Sequence, residues 1–221
     1  MPRKTRIIIP GQAHHITQRG NNCQRVFENP ADYLQYCAWL NKYAAIHKVG
    51  ILSFCLMPNH VHLIMDPQDA EGIGRLLNTV QMHHAQYMNK KRRTSGHLWQ
   101  GRYFSCILDD AHLYRAIRYV ERNPVRANMV PAAWEYPWSS AHARITQGNN
   151  SAISLKETTA INGEDWKAYL QEADEEFLET IRIKTQKGLA IGSKRFLGKM
   201  ENRLGKILHE LKPGRPGKLH K

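Results

Sequence analysis

The sequence predicts an α+β fold, an antiparallel sheet with helices packed on one or both of its faces. Three observations lead there. Runs of strand length alternate with longer segments of helical periodicity, in the order strand, helix, strand pair, helix, strand, helix. The strand pair, residues 51–55 and 61–65, flanks Met57-Pro58-Asn59, as an antiparallel hairpin requires. No apolar run reaches the roughly 18 residues of a membrane-spanning helix, so the apolar runs belong to a core.

Each element has a local reason. Residues 5–9 and 13–19 are rich in β-branched and alternating side chains and suggest the first strand. Residues 32–46 carry Leu34, Ala38 and Ala45 with Tyr33, Tyr36, Trp39 and Tyr43 at helical spacing, behind a capping signal at Asn29-Pro30. Residues 72–91 read as a second helix, basic at its end. Residues 98–108 carry aromatics and are expected to hold a strand. Asp109 or Asp110 can cap a third helix running to about Arg122, where Pro124 stops it. Further on, residues 165–183 place Trp166, Tyr169, Leu170, Phe177, Leu178 and Ile181 at helical spacing, which predicts one helix docked on the main domain. Residues 193–208 predict another, with Lys194, Arg195, Lys199, Arg203 and Lys206.

Charge divides the chain. Its 221 residues hold 32 Lys and Arg against 19 Asp and Glu, a net charge of +13. Residues 1–150 carry 18 basic and 9 acidic side chains, residues 151–180 carry 2 and 8, and residues 181–221 carry 12 and 2. With the Gly-Asn-Asn-Ser stretch at 148–151 as a linker, the expected organisation is a folded domain over 1–147, a linker and acidic helical segment over 148–186, and a basic extension over 187–221. Such a surplus attracts a polyanion, nucleic acid before membrane. The basic N-terminus lacks the apolar stretch of a signal peptide, so a cytoplasmic, nucleoid-associated location is expected. Cys23, Cys37, Cys55 and Cys106 lie far apart, with neither zinc-site nor disulfide spacing.

Three segments carry candidate chemistry. In Pro58-Asn59-His60-Val61-His62, strand alternation points His60 and His62 to one face, roughly 7 Å apart at the backbone, where two imidazoles can converge on one cation. The alternative is a pair of exposed strand histidines. In the third helix, Leu113, Ile117 and Val120 form the apolar stripe, while Tyr119 and Asn123 share another face at i and i+4. A divalent cation and nearby arginines (Arg118, Arg122, Arg126) would favour the phenolate of Tyr119, and Asn123 can offer a carbonyl oxygen to that cation. An amphipathic helix whose tyrosine packs at the sheet edge accounts for the same pattern. Lys90-Lys91-Arg92-Arg93, followed by Trp99, Arg102, Tyr103 and Phe104, interleaves cations and aromatics as single-stranded nucleic acid requires. A solvated basic turn before a core strand, with Trp99 and Phe104 inside, is the competing account.

Together these segments resemble the HUH single-tyrosine transposases (U, a bulky apolar residue), most closely the REP-associated tyrosine transposases. The resemblance covers about residues 5–145. It rests on His14-His15-Ile16-Thr17-Gln18-Arg19-Gly20, on 57–64, on 96–104 and on 119–126. It implies a ferredoxin-like sheet with the H-U-H motif on a central strand and the tyrosine on a following helix. It implies a divalent ion, Mg²⁺ or Mn²⁺, held by His60, His62 and Asn123. Tyr119, in its Tyr-x-x-x-Asn-Pro setting, matches the nucleophile. Asn123 stands where related insertion-sequence transposases place an amide ligand, often Gln. The implied activity is cleavage and rejoining of hairpin-bearing single-stranded DNA, or DNA with palindromic repeats, through a 5′-phosphotyrosine. The implied DNA contacts are Arg19, Arg92, Arg93, Trp99, Arg102, Arg118, Arg122 and Arg126. Arg215, in a Gly-Arg-Pro tripeptide resembling an AT-hook, would add a contact from the tail, and a disordered basic end is the competing account. The protein would act as a monomer or homodimer.

Two other classes compete. A domesticated relative would bind palindromic repeats without cutting, although His60, His62, Tyr119 and Asn123 are all present. A metal-dependent hydrolase of the H-x-H-x-D-H kind fails on spacing, because Leu63-Ile64-Met65-Asp66 follows His62.

Overall fold

Pro10 and Gly11 decide where the sheet begins. In the computed structural model, which describes residues 6–146, 152–157 and 163–209, Gly11 takes a φ of 72° and donates its N–H to the Pro67 carbonyl at 2.8 Å. Residues 6–9 therefore lie outside the sheet, and the first strand is only β1, His14–Arg19. Helix α1, Pro30–Ile46, starts where its signal stands. The Asn29 side chain accepts from Asp32 N–H, and the Asp32 carboxylate accepts from Asn29 N–H, with Pro30 in the first turn. Strands β2, Val49–Met57, and β3, His60–Pro67, form the expected hairpin. Helix α2, Gly72–Arg92, ends on Arg93 in the left-handed conformation.

Four later elements differ from their expected bounds. Of residues 98–108 only β4, Phe104–Leu108, is a strand. Gly101, at a φ of 144°, bends the preceding segment into a loop whose Leu98 and Trp99 turn inward. Helix α3, Asp110–Glu121, is capped by Asp109, but Pro124 opens a second turn of helix, α4, Asn123–Arg126. After α5, Ser140–Ile145, the single helix expected over 165–183 is broken into α6, Gly163–Gln171, and α7, Glu175–Lys187, where Asp174 caps α7. Strand β5, Ala190–Ile191, precedes α8, Lys194–Leu204, which stops at Gly205 with a φ of 60°. The linker residues 148–151 and the tail tripeptide with Arg215 lie outside the described residues.

The sheet order is β2-β3-β1-β4-β5. The first four strands pair antiparallel and β5 joins β4 in parallel. With α1 and α2 as crossovers, β1 to β4 have the ferredoxin-like order, and β5 extends its β4 edge. One face buries Ile16, Val61, Leu63 and Met65 against α1 and α2. The other packs Cys55, Ile64 and Cys106 against Ile117, Tyr119 and Val120 of α3 and against α7 with its Ile181, and Trp166 of α6 joins the same cluster. Cys37, Cys55 and Cys106 are buried and Cys23 is exposed. Among the described residues no helix is long and apolar enough to cross a membrane.

Candidate active site

Strand register builds the floor of the site. Directly opposed residues share a face, so Phe104, Thr17, His62 and Cys55 form one row across the sheet. Arg19, His60 and Met57 form the next row, and Cys106, His15 and Ile64 the row behind. His60 and His62 thus lie side by side on one face, their ring centroids 5.0 Å apart. Each ring's Nδ1 is occupied. His60 Nδ1 lies 2.6 Å from Asn59 Oδ1, which can only accept, so this nitrogen carries the hydrogen and Nε2 keeps its lone pair. His62 Nδ1 lies 3.0 Å from His15 Nε2. Burial pushes His60 down to about 4, with Arg19 adding to the effect, and His15 down to about 3; His62 falls well below its ordinary value for the same reason. All three are neutral imidazoles at neutral pH, the form that coordinates metal.

Helix α3 brings the tyrosine over this floor. Its stripe of Ile117 and Val120 faces the sheet, and Tyr119 packs edge-on against His15 at 5.5 Å and His62 at 5.7 Å. Only 6% of Tyr119 is exposed. Its ring is roofed by Arg126, whose guanidinium carbon lies 4.4 Å from the ring centroid. Burial lowers Arg126 to about 10, and its Nε has no acceptor among the described residues. Tyr114, the other tyrosine of α3, packs edge-on against Trp166 away from the histidines. The end of α3 is pinned by Glu121, which has no exposed surface. Its carboxylate accepts from Ser140 Oγ at 2.5 Å, Arg144 Nε at 3.1 Å and Trp166 Nε1 at 2.7 Å.

Asn123 lies one turn from Tyr119, but its amide is engaged in the helix junction. Nδ2 donates to the Tyr119 and Val120 carbonyls, and Oδ1 accepts from Arg126 Nη2 at 2.8 Å. A guanidinium therefore stands where a cation would meet that oxygen. Among the described residues no three His, Cys, Asp or Glu side chains are arranged to hold a metal ion. The donor set that fits a divalent ion is the pair of Nε2 atoms of His60 and His62, with further positions left for DNA oxygens or water.

The arginines separate into groups. Arg19 lies beside His60 on the sheet face. Arg93 and Arg102 are exposed and point to solvent. Arg92 is held by Glu28 at 2.7 Å, Gln24 at 3.1 Å and the Arg25 carbonyl at 2.6 Å. Arg118 meets Glu172 at 2.6 Å and Asp174 at 2.8 Å, Arg115 also binds Asp174, and Arg122 binds the Glu172 carbonyl. The acidic break between α6 and α7 thus lies on the cationic face of α3, along the cleft that reaches Tyr119. Trp99 is not at the surface. It is 8% exposed, stands among Tyr36 and His84, and donates its indole N–H to the Gln81 carbonyl. The exposed ring is Phe104, 40% accessible, in the same row as His62. The sequence named Phe104 with Trp99 among the interleaved aromatics, and of these two rings Phe104 is the exposed one; to His15 it gave no role. The alternation His15, Thr17, Arg19 on β1 was the signal that could have placed His15 on the histidine face.

A family model described as Transposase IS200 like matches residues 10–123, slightly more than half of the chain. A provisionally named REP-associated tyrosine transposase of Haemophilus influenzae is 26% identical over 106 residues, 42% of this chain and 60% of the relative's length. The chain thus spans three fifths of that relative. A solved structure of a REP-associated tyrosine transposase bound to a REP hairpin shares the fold, with a TM-score of 0.57 at 18% identity over 74% of this chain and 96% of the other.

Proposed function

This chain belongs to the IS200-like transposase family, and on that premise we propose that it cleaves and rejoins hairpin-bearing single-stranded DNA through a covalent bond to Tyr119. The observation that carries the reading is the approach of the Tyr119 ring to His62, with His60 beside it, from a helix some 60 residues later in the chain. A divalent ion bound between His60 and His62 would draw charge from the scissile phosphate. Arg126, above the tyrosine ring, places a positive charge beside the negative charge that develops in the reaction. The Tyr119 oxygen attacks phosphorus, the bond to the 3′ oxygen breaks, and a 5′-phosphotyrosine and free 3′-hydroxyl result. Attack by a 3′-hydroxyl on that linkage reforms the phosphodiester and returns the tyrosine, so no ATP is consumed. Arg19, Arg93 and Arg102 suit contacts to phosphates, and Phe104 suits stacking on an unpaired base. The likeness to a hairpin-bound transposase structure supports hairpin DNA as the partner.

The test is a labelled hairpin-bearing single strand incubated with the protein and Mn²⁺. Wild type is expected to form a protein–DNA adduct stable to denaturant, and Tyr119→Phe none; equal adduct from both removes the assignment. A second reading, DNA binding without cleavage, draws on the burial of Tyr119 and the engagement of Arg118 by Glu172 and Asp174. It gives hairpin binding with no adduct from either protein.

A further inference from the structure

Beyond the sheet floor, a chain of buried polar atoms leads away from His62. His15 Nε2 lies 3.0 Å from His62 Nδ1, and His15 Nδ1 lies 2.8 Å from Thr185 Oγ1. His15 is 1% exposed, His62 6% and Thr185 1%. Thr185 comes from α7, far outside the stretch that the family model matches. Behind His15 in the same row, the Cys106 S–H is directed at the Ile107 carbonyl at 3.6 Å.

The donors and acceptors can be ordered. Coordination at His62 Nε2 requires that the hydrogen of that ring sit on Nδ1. In that order the Thr185 oxygen accepts from His15 Nδ1–H. A neutral imidazole has one donor and one acceptor, so His15 Nε2 must accept, and it accepts from His62 Nδ1–H. His62 Nε2 is left with a bare lone pair on the face shared with His60. The reverse ordering would put a hydrogen on His62 Nε2 and forbid coordination there.

We infer that Thr185 and His15 are positioning residues: through this relay helix α7 sets the tautomer of His62 and thereby prepares its Nε2 for the divalent ion. The inference rests on the metal site proposed above. In metal-binding proteins the group that receives a ligating histidine's other N–H typically contributes about 10- to 100-fold to metal affinity. Here that receiver is His15, and Thr185 acts one bond further out.

The experiment uses the full chain. ¹⁵N spectra of the metal-free protein report, for each histidine, which ring nitrogen carries hydrogen. Wild type is expected to show His62 in the Nδ1–H form. Thr185→Val, equal in size but without the hydroxyl, is expected to show both tautomers at His62, and Thr185→Ser to restore the single one. In a Mn²⁺ titration followed by electron paramagnetic resonance, Thr185→Val is expected to bind about three- to tenfold more weakly, a fraction of the adjacent-shell effect, and Thr185→Ser as wild type. A second pair covers a Thr185→Val that does not fold: His15→Gln keeps an acceptor for His62 Nδ1–H and is expected to retain the tautomer, whereas His15→Leu loses it. An unchanged His62 tautomer in Thr185→Val or in His15→Leu overturns the relay, while adduct formation at Tyr119 still stands. Mn²⁺ binding that survives His60→Ala and His62→Ala unchanged overturns the metal site and the relay together.

Discussion

Glu121 offers the sharpest test of how the tyrosine helix is held. Its carboxylate sits two residues after Tyr119, without solvent contact, and one oxygen has the Trp166 indole as its donor at 2.7 Å. Trp166→Phe removes that donor and part of a buried ring, a packing loss common to the single and double variants that the cycle cancels. An unsatisfied buried acceptor costs about 1–3 kcal/mol, and a carboxylate in an ion pair lies in the upper half, so about 2 kcal/mol is expected. For a chain of this size that lowers Tm by about 4–8 °C. Glu121→Gln keeps an oxygen for Ser140 and Arg144 but turns an NH₂ group toward the indole N–H and leaves Arg144 without its counter-charge, about 3 kcal/mol. In the double variant the facing donors are gone, so its cost falls short of the sum by at least about 1 kcal/mol. Urea unfolding of the four proteins measures the cycle. Costs that add to within about 0.5 kcal/mol would show that Trp166 and Glu121 act independently and that the network does not anchor α3.

Three further outcomes follow from the same geometry. The Arg115 hydrogen bond holds the Asp174 carboxyl at about 2, below its usual 3.8, so its stabilising contribution is whole above about pH 4 and is lost as pH falls through 2; urea midpoints between pH 6 and 3 are expected to fall less steeply for Asp174→Asn than for wild type, and parallel curves reject the pairing. Arg93→Ala and Arg102→Ala are each expected to reduce the salt slope of DNA binding by about 1 with little change in Tm, whereas Arg92→Ala lowers Tm because its guanidinium joins Glu28, Gln24 and Arg25. Phe104→Ala is expected to weaken single-stranded DNA binding by about 1–3 kcal/mol in fluorescence anisotropy, and unchanged affinity rejects stacking at that ring.

What was legible in the sequence was local. Asn29, Pro30 and Asp32 lie within one turn of each other, so the start of α1 could be read from them. The same holds for the Pro58-Asn59 hairpin and the Asp109 cap, where signal and consequence are a few residues apart. Period-two alternation put His60 and His62 on one face, and the α3 stripe put Tyr119 off its centre, but nothing local states that the two faces meet. The break at Asp174 is set by Arg115 and Arg118 more than 50 residues away, so an uninterrupted helical pattern over 165–183 gave no warning of it. Trp99 read as a stacking platform because its neighbours are basic; the Gly101 bend turns it inward, and a bend of that kind is decided by the space between α1 and α2. His15 and Thr185 are 170 residues apart, and neither carries a motif toward the other.

The uneven burial of the cysteines has an experimental use. Burial holds the Cys37 and Cys106 thiols up at about 12 and raises Cys55 as well, so these three resist alkylation in the folded protein, while Cys23 is open to it. Cys23 is also well sited. Its carbonyl accepts from Asn59 Nδ2 at 3.3 Å, Asn59 Oδ1 holds His60, and Arg19 Nη1 lies 3.9 Å from its sulfur. A maleimide reagent added to the unaltered chain therefore places a single reporter at the rim of the histidine pair, without any cysteine having to be removed first. A nitroxide there would be broadened by Mn²⁺ arriving beside His60, and a dye would change emission as a DNA strand passed Arg19.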